Sequence, residues 1–262
     1  LMGNYFGDSG NAYRKPMAAI EIDRGSGSTA SGWYEGVMHN LTYGGEDGSL
    51  SDLTSTLIHE MSHALGIASN VDKRTAIQDI NNGIFGAFGA DGDTFNLFEQ
   101  GLRDLNGNAA RPGMQIRDKS NVDPDESGNY FVVDKSGGSN CGVYFTGKNV
   151  QEVLNGAWIA TSSDSALSYA VPGLPINGLE AQPTEEGKFI LYPEFSHIEL
   201  QNAQMSHQMY RNWNVLMEAE LAVLQDSGVK FDRRNMFGYS VYNSGTADKR
   251  RSFVNDHPYF AR

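Results

Sequence analysis

The sequence has a single cysteine, Cys141, among its 262 residues. One cysteine cannot form a disulfide within the chain, and it excludes a zinc site built from several cysteines. Cys141 stands just before an apolar run, so we expect a small core residue rather than a nucleophile.

Basic residues are few: 20 Lys and Arg stand against 32 Asp and Glu, which gives a formal net charge of −12. Nucleic-acid binding depends on clustered Lys and Arg, so we expect no nucleic-acid partner. The sequence shows no apolar stretch of membrane-spanning length, no signal peptide and no basic transit segment. We expect no membrane span, and a mature form or an excised domain.

Apolar residues make up 39% of the chain, including 13 Phe and 12 Tyr, which is enough to bury a core. The length suits one large domain or two subdomains around a cleft. Residue patterning predicts strands at 17–23, 33–43 and 130–133. It predicts helices at about 52–65, 94–105, 147–155 and 217–226.

The helix at 52–65 is the clearest of these. Ser51 and Asp52 are good N-cap residues, and Gly66 stands where a left-handed C-cap is expected. Apolar residues recur every four positions between them, at Leu53, Leu57, Met61 and Leu65. This helix should therefore have one apolar stripe and one polar stripe.

The polar stripe carries the motif His59-Glu60-Met61-Ser62-His63. Histidines four residues apart on a helix project from the same face, so both can bind one zinc ion. Glu60 is placed to accept a proton from zinc-activated water, which is the general-base arrangement of a metallopeptidase. The five-residue pattern also occurs by chance, and the alternative is a helix whose histidines are only structural.

A catalytic zinc ion needs three protein ligands. In many zincins of the metzincin type the third ligand follows the glycine by three residues, but that position is Ser69 here. The third ligand must therefore come from a distant part of the chain, or the zinc site is incomplete. The candidates are His39, His197, His207 and His257.

The stretch from Met205 to Gly228 resembles the leishmanolysin-like metzincin peptidases. The resemblance rests on Ser206-His207, Leu216-Met217 and Asp226-Ser227-Gly228, in this order and spacing, with weaker likeness at 143–149 and 174–176. It implies that His207 is the third zinc ligand. It also implies that Met217 forms the methionine turn, packing below the histidines without binding zinc.

His197 competes with His207, because it too follows a serine. We favour His207, since its distance to Met217 fits the turn, whereas His197 lies in an alternating run that is typical of a packed strand. His39 and His257 are expected to be structural or at the surface.

The resemblance implies an α+β fold of the metzincin type. Residues 1–66 would form an N-terminal subdomain with a twisted mixed sheet and the zinc-binding helix. Residues 67–262 would form a more irregular, helical subdomain with a long insertion, the third ligand and the methionine turn. Because a secreted protein without disulfides is more typical of bacteria, we expect a secreted or cell-surface bacterial protein.

The expected function is that of a zinc-dependent endopeptidase acting on protein or peptide substrates. Two alternatives are a catalytically silent binding or adhesion module on the same scaffold, and a zinc hydrolase of non-peptide amides. Residues 123–134 imitate a calcium loop, but a solvated acidic loop is favoured there because Phe131-Val132-Val133 reads as a strand. A structural Ca²⁺ is therefore only weakly supported beside the catalytic Zn²⁺.

Overall fold

The computed structural model describes residues 33–34, 51–74, 76–89, 95–161, 173–183, 189–200, 203–207 and 216–233. The α-helices in these ranges are α1 (Leu53–Ala64), α2 (Ile77–Asn81), α3 (Leu97–Gly101), α4 (Lys148–Thr161) and α5 (Glu218–Asp226). Short 3-10 helices cover Lys119–Asn121, Pro124–Asn129 and Lys135–Asn140.

The strands are short and belong to four small sheets. They are β1 (Trp33–Tyr34), β2 (Ser51–Asp52), β3 (Asp72–Lys73), β4 (Ile84–Ala87), β5 (Leu102–Arg103), β6 (Gln115–Asp118), β7 (Phe131–Val133), β8 (Tyr144–Phe145), β9 (Leu174–Pro175), β10 (Leu179–Pro183) and β11 (Phe189–Pro193). The largest sheet has the order β3-β4-β6-β7 and is mixed, because β6 and β7 are parallel and the other pairs antiparallel. The expected α+β class with a mixed sheet is confirmed.

The other sheets are simpler. Strands β5, β8 and β9 form an antiparallel sheet in that order with β8 in the centre. Strands β10 and β11 form an antiparallel pair, and β1 pairs with β2 in parallel.

A cluster of phenylalanine rings fills the core beside the mixed sheet. The centroid of Phe131 on β7 lies 5.0 Å from that of Phe88 and 5.7 Å from that of Phe195. All three side chains are almost completely buried. Because Phe195 follows β11, this packing fixes the chain two residues before His197.

Most of the predicted elements are present with small changes in their bounds. Helix α1 matches 52–65, α5 matches 217–226, and β7 matches 130–133. Helix α4 begins as predicted and runs on to Thr161. The strand at 17–23 lies outside the described residues, as does 33–43 apart from β1, so the division at residue 66 stays a prediction.

The predicted helix at 94–105 is shorter in the structure. It begins with a capping box, in which Asn96 accepts the backbone N–H of Glu99 while Glu99 accepts that of Asn96. It ends at Gly101, because Leu102 turns to extended backbone and pairs with Phe145 on β8. Sheet pairing overrides helix propensity at this point.

Candidate metal centre

Helix α1 brings His59 and His63 together as their spacing predicts. Their Nε2 atoms are 3.1 Å apart, and the rings meet edge to face. Two imidazole nitrogens that bind one tetrahedral zinc ion at about 2.0–2.1 Å lie roughly 3.3 Å from each other. The separation of these two atoms is therefore close to that of two ligands of one ion.

The other ring nitrogen of each histidine is held by a backbone carbonyl. His59 Nδ1 lies 2.7 Å from the oxygen of Gln204, and His63 Nδ1 lies 2.7 Å from the oxygen of Ile67. A carbonyl can only accept, so each Nδ1 carries a proton. The 3.1 Å contact between the two Nε2 atoms therefore needs a cation between them, which can be either a proton or a metal ion.

His197 completes a group of three histidines. Its ring centroid lies 5.2 Å from that of His59 and 4.9 Å from that of His63. One ligand nitrogen from each of the three residues lies within 4.8 Å of the others. Among the described residues this is the group whose side chains could hold a metal ion.

The geometry favours a different histidine from His207 for the third position. His207 lies beside the group, with its ring centroid 6.2 Å from that of His197, and its Nδ1 is 2.5 Å from Glu199 Oε1. The chain at 203–207 contacts α1 through Gln204, whose carbonyl lies against His59 and whose side-chain amide donates to Ser55. We therefore favour His197, the candidate that the sequence ranks second, and the role of His207 stays a prediction.

The segment around His197 is fixed by backbone hydrogen bonds and packing. The N–H of Ile198 donates to Met205 at 2.8 Å, and the N–H of Asn177 donates to His197 at 2.9 Å. Phe195 and Ile198 are buried on either side of the histidine. The alternating sequence around His197 predicts a packed strand, and the same packing turns the His197 side chain toward α1.

Burial keeps two of the histidines neutral. Desolvation lowers the pKa of His59 to about 4, with a smaller lowering from His63 that the Gln204 hydrogen bond opposes. Desolvation, followed by the neighbouring His63 and His59, lowers the pKa of His197 to about 3. Neutral imidazole is the form that binds a metal, so both rings are in the required state at pH 7.

Gly66 ends α1 in the left-handed region, with φ of 126°. A side chain here would strain the backbone, because residues other than glycine rarely adopt this conformation. The turn continues with the N–H of Ile67 donating to Ser62 at 3.1 Å, and it places the carbonyl of Ile67 against His63. The predicted C-cap role of Gly66 is confirmed, and the cap helps to orient one ligand.

Ser69 stands where a shorter motif would have its third ligand, and it joins two parts of the site instead. Its N–H donates to Ser196 Oγ at 3.1 Å, next to His197. Its hydroxyl donates to Glu99 Oε1 at 3.0 Å, and the N–H of Asn70 donates to the same oxygen at 2.7 Å. Sequence reasoning missed Glu99, although the Asn96-x-x-Glu99 capping pattern marked it as a backbone acceptor.

Met217 is a half-buried residue at the N-cap of α5. Its N–H donates to Glu220 Oε2 at 2.6 Å, while the N–H of Met205 donates to Glu220 Oε1 at 2.6 Å. Met205 is completely buried and follows Gln204, whose carbonyl holds His59. The role of Met217 beneath a metal stays a prediction.

Glu60 lies on α1 immediately after His59 and is half-buried. A step of one residue turns about 100° around the helix axis, so its carboxylate leaves α1 beside the ligand face rather than on it. This placement suits a residue that reaches water near the ligands, and its role as general base stays a prediction.

The acidic segment at 123–134 does not have the helix pair of an EF-hand. It contains the 3-10 helix Pro124–Asn129 and strand β7, and Asp134 pairs with Lys119 at 2.6 Å. The described residues therefore favour the solvated loop there. None of the described helices is long and apolar enough to cross a membrane.

Comparison with known proteins identifies no relative: no family model matches the chain, and no curated protein or solved structure does so either. The case for a function therefore depends on the geometry of the histidine group and on the sequence motif.

Proposed function

We propose that the chain is a zinc-dependent endopeptidase, with His59, His63 and His197 as the metal ligands. The observation that supports this most is the pair of Nε2 atoms 3.1 Å apart whose rings both use Nδ1 to donate to a carbonyl. Rings fixed in this way aim both Nε2 atoms at one point, which is the arrangement that a bound zinc ion would stabilise. Three imidazole side chains fit the donor set of a catalytic zinc, which leaves a coordination position open.

A second observation supports the fit. His197 Nδ1 is buried and has no hydrogen-bond partner, while its ring faces His59 and His63. Buried polar atoms are nearly always satisfied, so an unpaired nitrogen in such a group indicates an interaction that forms when a metal binds. The resemblance of the motif and of 205–228 to leishmanolysin-like metzincins adds to the proposal, which includes a metzincin type of fold.

The residues of the chain then have distinct roles. Bound zinc would supply a Lewis acid that lowers the pKa of water and polarises a substrate carbonyl. Glu60 accepts the proton of the attacking water and returns it to the leaving amine. The carbonyls of Gln204 and Ile67 hold the two α1 histidines in one tautomer, so their Nε2 atoms need no reorganisation before binding.

The proposal is tested with Glu60→Gln, which removes the base but keeps the size of the side chain. We expect about one zinc per chain in both proteins, and a loss of cleavage of denatured casein by ~10²–10⁴-fold in the variant. Glu126→Gln is the matched control, because Glu126 is an exposed glutamate on a 3-10 helix. It should leave both zinc content and cleavage unchanged.

Two results would contradict the proposal. A wild-type protein that binds no zinc would contradict the proposed metal site. A Glu60→Gln variant with wild-type cleavage would contradict the proposed role of Glu60 as general base. A zinc-loaded protein that cleaves small acylated amides but no peptide would favour the non-peptide hydrolase.

A further inference from the structure

The three histidines of the metal centre are oriented in two different ways. His59 and His63 each donate Nδ1–H to a backbone carbonyl at 2.7 Å. His197 Nδ1 is equally shielded from water but has no hydrogen-bond partner. Metal-binding histidines nearly always donate their second nitrogen to a carboxylate, a carbonyl or water. One ligand of the proposed site is therefore without the partner that would orient it.

A carboxylate faces this nitrogen from three residues earlier in the chain. Glu194 Oε1 lies 3.9 Å from His197 Nδ1, which is beyond hydrogen-bond range but near enough to close by a small rotation of the glutamate side chain. The backbone of Glu194 is fixed, because its N–H donates to Gly178 at 2.7 Å. The approach of the two groups is thus set by the fold rather than by a mobile loop.

Lys73 holds the carboxylate from the other side. Its Nζ lies 3.0 Å from Glu194 Oε2 and 4.2 Å from the ring centroid of Tyr192. Lys73 is on β3, which follows α1 closely in the chain, so the ion pair links the region after the zinc motif to the end of β11. With one oxygen held by Lys73, the other oxygen of Glu194 remains on the side of His197.

We propose that Glu194 is the positioning residue of the third ligand: its Oε1 accepts the Nδ1 proton of His197 when a metal is bound, and Lys73 holds Glu194 in place. His197 then presents Nε2 to the metal, as His59 and His63 do. The inference rests on the proposed zinc site. It adds that a negative charge, rather than a carbonyl dipole, compensates the metal at this ligand and increases the basicity of its imidazole.

The test measures zinc affinity of the full chain by competition with a chromogenic chelator. Glu194→Ala should weaken zinc binding by about 10–100-fold, the usual effect of losing such a partner. Glu194→Gln should weaken it less, because its amide oxygen still accepts a hydrogen bond, and Lys73→Met should have the smallest effect of the three.

Glu199→Gln is the matched control. Glu199 lies two residues after His197 and its side chain is 24% exposed, against 20% for Glu194, but it pairs with His207 instead. Its zinc affinity should stay within about twofold of the wild type, well below the effect expected for an orienting partner. The melting temperature of the metal-free protein separates positioning from a structural role, since Glu194→Gln should leave it unchanged while affinity falls.

Nitrogen-detected NMR of the zinc-loaded protein gives a direct readout. In the wild type we expect His197 with Nδ1 protonated and Nε2 shifted by the metal. Zinc affinity equal to wild type in both Glu194→Ala and Glu194→Gln would overturn the inference while leaving the zinc site intact. A weaker affinity in Glu199→Gln alone would overturn it in favour of His207. If the wild-type protein did not bind zinc, both this inference and the proposed function would be wrong.

Discussion

Helices α1 and α5 both carry the polar residues that stand out in the sequence, but they use them in opposite ways. Helix α1 turns His59 and His63 toward a shared space, with their Nε2 atoms 3.1 Å apart. Helix α5 turns its acidic residues into the protein, and Glu218 and Glu220 are almost completely buried. The first helix offers ligands, whereas the second holds other parts of the chain in position.

Each acidic residue of α5 has an identifiable partner. Glu218 pairs with the buried Arg233 at 3.3 Å. Glu220 accepts the N–H groups of Met205 and Met217. Because Met205 follows Gln204, whose carbonyl orients His59, α5 supports the metal centre from a distance. The buried acidic residues of α5 are therefore bound to other parts of the chain.

The largest effect is expected at His197, the proposed third zinc ligand. His197→Ala should reduce the zinc content from about one per chain to a small fraction, because two ligands do not make a catalytic zinc site. His207→Ala is the matched variant and should keep zinc, since His207 lies outside the group. Metal analysis after dialysis against a weak chelator measures both. Loss of zinc in His207→Ala with retention in His197→Ala would restore the assignment drawn from the sequence.

The pairing of His59 and His63 could be predicted from the sequence because both residues lie on one helix. An i, i+4 spacing on a capped helix fixes the relative direction of His59 and His63, whatever the rest of the chain does. The C-cap role of Gly66 could be predicted for the same reason, because it depends only on the end of the same helix. The bounds of α1 and α5 also followed from periodicity and capping, whereas the α+β class was implied by the family resemblance.

The third ligand could not be predicted, because its position depends on how distant segments pack. His197 and His207 both follow a serine, and only the pairing of Ile198 with Met205 shows which ring faces α1. The support from Glu99 and Glu220 was hidden for a similar reason. The capping pattern marks Glu99 only as an acceptor for nearby Asn96, and neither its bond to Asn70 nor that of Glu220 to Met205 leaves a spacing pattern in the sequence.

The next effect concerns stability and its dependence on pH. Burial raises the pKa of Glu220 from 4.5 to about 7, although the hydrogen bonds from Met217, Met205 and Gln204 oppose this. Between these values the folded protein binds a proton that the unfolded chain has lost. The free energy of unfolding that this group contributes is therefore fully present below pH 4.5 and falls by about 3 kcal/mol as pH rises to 7.

Glu220→Gln removes this titration and one of the two acceptor oxygens. At pH 5 the metal-free variant should unfold more easily than the wild type by ~1–3 kcal/mol, because one buried N–H loses its partner. At pH 8 the difference should shrink, since the wild type has by then lost its own contribution. Urea unfolding at both pH values measures this, with Glu126→Gln as control. An equal difference at pH 5 and pH 8 would show that Glu220 does not titrate in this range.

A smaller effect on stability is expected at Asp226, the last residue of α5. Asp226 accepts the N–H groups of Asn149 at 3.0 Å and Val150 at 2.9 Å, so it caps the first turn of α4 from outside. Asp226→Ala should lower the free energy of unfolding by ~1–2 kcal/mol, the typical value of a lost cap, and leave zinc affinity unchanged. Asp123→Ala, which removes the cap of an exposed 3-10 helix, should cost less. A tenfold loss of zinc affinity in Asp226→Ala would mean that α4 also supports the metal centre.

The smallest effect is expected at Met217, where two roles make opposite predictions. A methionine beneath the metal could not become an aspartate without placing a charge in a packed site, so zinc affinity and stability would both fall. A half-buried N-cap of α5 should accept the change, because aspartate is a preferred N-cap residue and its charge is favourable at a helix N-terminus. Repulsion from Glu218 and Glu220 offsets part of this gain. We therefore expect Met217→Asp to stay within about 1 kcal/mol of the wild type, with zinc affinity unchanged, and Met217→Leu to be silent in both measurements. A tenfold weaker zinc affinity in Met217→Asp, with the metal-free protein still folded, would place Met217 below the ligands and extend the metal centre to the N-terminus of α5.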